Sequence, residues 1–270
     1  MFSDNGLVFQ KRLHLFEFCD QSWFAGWMRE GFMDCLSLFY RVFRPYHPFA
    51  QQIADDLRCG VICDLATGGG ESIEFFLKYL EKKRADTRVK IIGTDLCPDV
   101  ASLEVLKERY KCFDYTEHSV DALALPDNAD NCDYTMFTAF HHFKEDRAVM
   151  LIRSVLEKGR SLSVFEFTSR YDPLSYIFLL FGVPFSMLAP FFAKKRRWQK
   201  FLFSFIPVIP LIVAYDGFVS NLRTYTKEEL TILAQNAFPD QRVAVEFFEK
   251  RVLIVFKCYM CRFSIQHDDI

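Results

Sequence analysis

The 270-residue sequence has no surplus of positive charge: 33 Lys and Arg stand against 35 Asp and Glu, a formal net charge of −2. A chain with a pI near 6.3 carries no large basic surface, which argues against DNA or RNA as partner or substrate. It has no Gly-Lys-Ser/Thr, so a Walker A phosphate loop is excluded. An Asn-Pro-Pro-Tyr-type motif, used on nucleobase amino groups, is missing too. Nine cysteines are scattered, and only Cys258 and Cys261 have a metal-like spacing, without a second pair or a His cluster to complete a zinc site. They read as reduced, structural thiols of a cytoplasmic protein, and no metal is expected. The stretch MFSDNGLVFQKRLHLFEF lacks a basic start followed by a long apolar run, so no signal peptide is expected. Internal repeats and low-complexity tracts are absent.

What is present supports a sizeable core: 51% of residues are hydrophobic and 25% charged. The 31 Phe are unevenly placed, eleven of them between Phe165 and Phe218. Residues 1–58 read as a helical cap, with apolar and aromatic residues of QSWFAGWMREGFMDCLSLFYRVF at helical spacing and FAQQIADDL as a second short helix. From 59 onward the pattern changes to a second region, 59–270. VICDLA (61–66), VKIIGTDL (89–96), FDYTEHSV (113–120), CDYTMFTAF (132–140) and SLSVFEFT (161–168) are strand-like, with helical runs between most of them. In the first of these helices Ile73, Phe76, Leu77 and Leu80 share one face. Such alternation predicts right-handed crossovers and a parallel sheet covered on both sides. The chain ends differently. A helix opened by the capping-box pair Thr226 and Glu229 precedes two β-rich runs nearly back to back, an antiparallel hairpin.

Between the first strand and helix lies CDLATGGGES, 63–72. Its glycines fall as Gly68, Gly69 and Gly70, without the third glycine that a dinucleotide-dehydrogenase fingerprint needs. Asp64 precedes Gly68 by four residues and Gly70 by six. This resembles motif I of the class I S-adenosylmethionine (SAM)-dependent methyltransferases, D-x-G-x-G-x-G, with Ala66 at the first glycine position. A loop that meets SAM needs a missing side chain where backbone approaches the ligand, and an acid near a cation, but no phosphate cradle. Asp95, 25 residues beyond Gly70, stands where the family places an acid on the ribose diol, and Asp121 stands where it accepts from the adenine amino group, with Ala122 beside the ring. The resemblance adds Thr67 and Leu96 to the cofactor site, covers about residues 58–168, and TAFHHF is similar to the strand-four end of quinone C-methyltransferases. It implies a Rossmann-like α/β fold with a seven-stranded methyltransferase sheet, five parallel strands and then an antiparallel hairpin, with SAM as cofactor.

Methyl transfer is an in-line displacement that positioning alone can promote, and a base is needed only if the acceptor must lose a proton. Candidates are His141 and His142, just past strand four, and Glu166 near the end of strand five, with Asp216 further on. The acceptor is expected from the helical insertion at 171–225. There YIFLLFGVPFSMLAPFFA (176–193) and FLFSFIPVIPLIVAY (201–215) flank KKRRWQK. Pro184, Pro190, Pro207 and Pro210 argue against two spanning helices. A two-helix lid over a lipophilic pocket and a hairpin dipping into one leaflet through residues 176–215 both remain, and both imply a small lipophilic acceptor. The competing class is a SAM-binding, membrane-associated protein without catalysis. Glu17, Asp20 and Arg29 near Trp23, and Asp216, Arg223 and Tyr225 beyond the apolar stretch, are either substrate contacts or ion pairs. The segments LRTYTKEEL and HLFEFCDQSWFAGWMREG resemble parts of uncharacterised bacterial members of that superfamily.

Overall fold

Each short apolar run in the middle of the chain is a strand, and each run with a 3.6-residue apolar period is a helix. The computed structural model describes residues 11–56, 60–83, 89–125, 132–193, 195–252 and 256–266. The start of the sequence, on which the absence of a signal peptide was read, and the link between the last two strands lie partly outside them. In chain order the elements are α1 (Gly26–Phe43), α2 (Ala50–Asp56), β1 (Val61–Leu65), α3 (Glu74–Lys83), β2 (Lys90–Thr94), α4 (Val100–Arg109), β3 (Phe113–Tyr115), β4 (Asp133–Phe137), α5 (Glu145–Lys158) and β5 (Ser161–Glu166). Four helices follow, α6 (Pro173–Ser186), α7 (Ala189–Phe192), α8 (Trp198–Phe205) and α9 (Val208–Arg223). Last come α10 (Lys227–Ala237), β6 (Val243–Val252) and β7 (Phe256–Ile265).

The chain packs as two units. A sheet unit comprises Tyr46–Glu166, Thr226–Lys250 and Tyr259–Ile270, and an insert unit comprises Met1–Pro45, Phe167–Tyr225 and Arg251–Cys258. The strand order is β3-β2-β1-β4-β5-β7-β6. β1 runs parallel to β2 and β4, β2 to β3, and β4 to β5, whereas β7 is antiparallel to β5. That is the expected arrangement of parallel strands and a closing hairpin. β4 is buried along its whole length, as a strand covered on both faces must be. In α3 and the residue before it, the stripe Ile73, Phe76, Leu77 and Leu80 is buried, each side chain worth about 1.5–3 kcal/mol of transfer free energy. Asp99 caps α4 by accepting from the Ser102 amide, and Thr226 and Glu229 form the full capping box of α10.

Two strands are shorter than their sequence runs suggest. β3 stops at Tyr115, because the chain then turns back and the Val120 N–H donates to the Asp95 carbonyl. β4 stops at Phe137, because Thr138 takes a left-handed φ of 51° and residues 140–142 wind into a 3₁₀ turn. Cys258 and Cys261 sit three apart on β7, hence on opposite faces, and both thiols are pushed up by burial. They are packed side chains rather than a ligand pair.

In the insert unit, α1 buries Gly31, Phe32, Cys35 and Leu38. Cys35 and Leu38 cluster with Ala189 and Ile209, and Trp27, Phe185 and Phe203 pack against them. The apolar stretch is four helices rather than two. Pro184 lies within α6 two residues from its end, Pro190 and Pro210 occupy first turns, and Pro207 separates α8 from α9. No single helix among the described residues is long and apolar enough to cross a membrane, and α8 and α9 are bent by 71° at their break.

Candidate functional site

β1 and β4 are neighbours whose following chains diverge to opposite sides of the strand order, so a crevice is expected at their carboxyl ends. The glycine loop leaves β1 there and the His141–His142 turn leaves β4 there, both within the sheet unit. Asp64, the penultimate residue of β1, is buried, accepting from the Thr135 hydroxyl at 2.6 Å and the Thr67 hydroxyl at 2.8 Å. Burial raises its carboxyl to about 7, against the lowering effect of those two hydroxyls. Asp64 therefore sits beneath the loop as its anchor. Thr135 was not legible as a partner, because only strand register places it opposite Asp64.

The loop itself needs left-handed backbone three times, at Ala66 (φ 56°), Gly68 (φ 60°) and Gly70 (φ 81°). Ala66 thus stands where glycine would relieve strain, and its departure from the motif is conformational rather than a matter of size. A Cβ on Gly70 would lie 2.2 Å from Leu106 Cδ1, so that glycine lets α4 approach. A Cβ on Gly69 would meet only the flexible end of Glu71. A Cβ on Gly68 would meet nothing within 4 Å, so its backbone faces open space. The Gly68 N–H donates to Asp95 Oδ2 and the Cys97 N–H to Asp95 Oδ1, both at 2.7 Å, which ties the loop to the end of β2. Each carboxylate oxygen retains acceptor capacity. Leu96 beside it is 59% exposed, and Asp121, exposed, accepts from the Leu123 N–H with Ala122 between them.

Just beyond β4 and at the end of β5, His141 and Glu166 form a buried pair. His141 Nδ1 is 3.0 Å from both carboxylate oxygens, and its backbone N–H donates to Oε1. His142 is only partly buried and its ring lies 4.3 Å from that of His141. The Tyr46 hydroxyl, which drew no attention in the sequence, contacts the Thr138 hydroxyl and donates to the Phe165 carbonyl, bracing the turn. The polar residues of the insert unit are an internal clamp. Arg223 Nη1 pairs with Asp20 and Glu17, and Asp216 accepts from the Phe18 and Cys19 amides. Arg29 donates to the Gln21 carbonyl, and Tyr225 lies under the Arg12 guanidinium. These contacts fasten the stretch 12–21 to α9, which is the ion-pair reading of those residues.

The strand order and closing hairpin define the Rossmann-like methyltransferase fold. Among solved structures, the chain is similar to the plantazolicin methyltransferase BpumL in complex with SAH, at 11% identity and a TM-score of 0.54, covering 92% of this chain and 94% of that one. It is similar to the O-methyltransferase NcsB1 from neocarzinostatin biosynthesis, in complex with SAM and 2-hydroxy-5-methyl naphthoic acid, at 14% identity and a TM-score of 0.50. That match covers 87% of this chain but only 57% of NcsB1, so the chain spans little more than half of that protein's length. A Rhodobacter sphaeroides structure described as a putative Zn-dependent alcohol dehydrogenase matches at 13% identity and a TM-score of 0.50, over 88% of this chain and 98% of that one. No family model and no curated protein matches the sequence.

Proposed function

We propose that the protein is a SAM-dependent methyltransferase acting on a small, lipophilic acceptor. The observation that carries this reading is the Ala66–Gly70 loop, left-handed at alternate residues, stitched to Asp95 and open at Gly68. BpumL and NcsB1, which share the fold, hold SAH and SAM. The residues fit such a ligand: Gly68 and Gly69 offer bare backbone, Asp95 has acceptor capacity for a diol, and Leu96 offers an exposed apolar surface, with Asp121 and Ala122 directly after the Ser119 and Val120 that bond to the Leu96 and Asp95 carbonyls. SAM would supply an electrophilic methyl group. The chain's own part is positioning, together with custody of a proton when the acceptor carries one. Glu166 accepts from His141 Nδ1–H and holds the ring, an orienting relation between carboxylate and imidazole that would suit His141 to take the acceptor's proton. His142 is the more exposed neighbour and the candidate acceptor contact. The lipophilic acceptor is read from the apolar composition of residues 176–215.

Calorimetry with SAM, SAH and NAD tests the cofactor, and transfer of label from methyl-labelled SAM to a lipid and metabolite extract tests the reaction. SAM binding and label transfer are expected. NAD binding without SAM binding would overturn the reading in favour of a dehydrogenase, and SAM binding without transfer to any extract would favour a non-catalytic SAM-binding protein. Asp95→Ala should weaken SAM binding by removing the diol acceptor, with a modest loss of melting temperature from the Gly68 and Cys97 amides that it leaves unpaired. His141→Ala should lower kcat by about 10²–10⁴ for an acceptor that loses a proton, with SAM affinity retained.

A further inference from the structure

Helix α8 packs Phe203 inward but carries a second apolar face outward. Trp198, Leu202 and Phe205, at positions i, i+4 and i+7, are 69%, 41% and 51% exposed. Lys200 and Ser204 on the other side are 1% exposed, and Lys200 Nζ pairs with Asp34 on α1. A helix that faces water carries its charges outward and its apolar stripe inward. The apolar face does not end with α8: the Phe191 ring lies 6.1 Å from that of Phe205, and Phe192 and Ile206 are also exposed. Directly before Trp198 stand Lys195, Arg196 and Arg197, all exposed, the last reaching Glu30.

We propose that α7 and α8 form a docking surface for an anionic phospholipid bilayer, with the apolar face in the outer acyl region and residues 195–197 at the headgroups. The charge run decides in favour of lipid, since a basic cluster beside an aromatic and aliphatic patch matches a negative surface over an apolar layer. Trp198 lies at the junction of the two, where an amphipathic ring is favoured. The helix lies in the interface rather than through it: eight residues rise about 12 Å, against a hydrocarbon core of about 30 Å. A lipophilic acceptor dissolved in that layer would be concentrated beside the protein, but the docking surface itself does not depend on methyl transfer.

The test is flotation of the full chain with phosphatidylcholine vesicles, with and without phosphatidylserine, at low and high salt. Binding to the serine-containing vesicles that weakens with salt is expected. Exchanging residues 195–197 for Glu should weaken it by roughly 5-fold or more per residue. The triple variant Trp198→Ser, Leu202→Ser, Phe205→Ser should abolish flotation without lowering the melting temperature. Quenching of Trp198 fluorescence by brominated lipid should vanish in Trp198→Phe. No flotation with either vesicle, or flotation unchanged in the triple variant, would overturn the proposal. So would a wild-type dimer that the triple variant dissolves, because the face would then belong to a second copy. SAM calorimetry on the same samples keeps the two readings apart: lost SAM binding in the wild type strikes the methyltransferase assignment and leaves the flotation result standing.

Discussion

In α3 of the sheet unit, Phe76, Leu77 and Leu80 turn inward while Lys78, Glu81 and Lys82 stay in water; in α8 of the insert unit, Trp198, Leu202 and Phe205 turn outward while Lys200 and Ser204 are buried. Both helices are amphipathic, and the sequence period looks the same in each. The sheet unit gains stability by removing apolar surface from water in the ordinary way. The insert unit buries its Lys with a carboxylate and leaves apolar surface outside, an arrangement that favours a non-aqueous medium at that face. The difference teaches that a periodic apolar stripe says a helix has two faces, not which face meets solvent.

The sharpest way to break this comparison is one substitution made twice. Leu77→Ala, in the sheet core, should cost about 2–5 kcal/mol of unfolding free energy, whereas Leu202→Ala on α8 should change it by less than about 0.5 kcal/mol, both read by urea denaturation. Equal losses would mean that α8 is a core helix after all. Next, Lys200→Met should cost about 2 kcal/mol by stranding Asp34, and the added change Asp34→Leu should recover most of it, if the pair is a buried ion pair rather than a surface one.

Asp64 gives a pH-dependent test confined to the sheet unit. Its carboxyl, raised by burial to about 7 from an ordinary value near 4, keeps its proton in the folded protein where the unfolded chain has released it. The folded state therefore binds more protons between about pH 4 and 7, and this group's contribution to stability falls as pH rises through that window. Asp64→Asn cannot titrate, so the difference between wild-type and variant unfolding free energy should shift against the wild type by about 2–3 kcal/mol between pH 5 and 8, the part of the shift that lies in that range. A pH-independent difference would show an Asp64 that titrates normally. The smallest effect is expected at the loop: Ala66→Gly should stabilise by up to about 1 kcal/mol, since glycine takes φ 56° without strain. A loss of stability would mean that the entropy of an added glycine outweighs that strain.

Much of the sheet unit was legible beforehand. The runs at 61–66, 89–96 and 161–168 became strands, and the helix face at Ile73, Phe76, Leu77 and Leu80 became core, because apolar period and burial coincide in a two-sided parallel sheet. The capping box at Thr226 was legible because both its partners lie within one turn. Residues whose roles are set by a distant strand were not. Thr135 under Asp64 and Tyr46 on the Phe165 carbonyl depend on register and packing across many residues. The ends of β3 and β4 escaped too, since a positive φ at Thr138 is invisible in its identity. His141, His142 and Glu166 were legible as candidates, but that Glu166 holds the His141 ring was decided by the β4–β5 geometry.

By itself the sequence determined the alternation of strands and helices, the closing hairpin, and a glycine loop with acids after it, since each follows from local periodicity and spacing. The tertiary structure alone decided that the described residues of 11–45 pack with those of 167–225, that the apolar stretch is four helices, and that one of them wears its tryptophan outside and its lysine inside. The physical reason is that facing and pairing are properties of what a segment packs against, and a stripe of apolar residues carries no record of its neighbour.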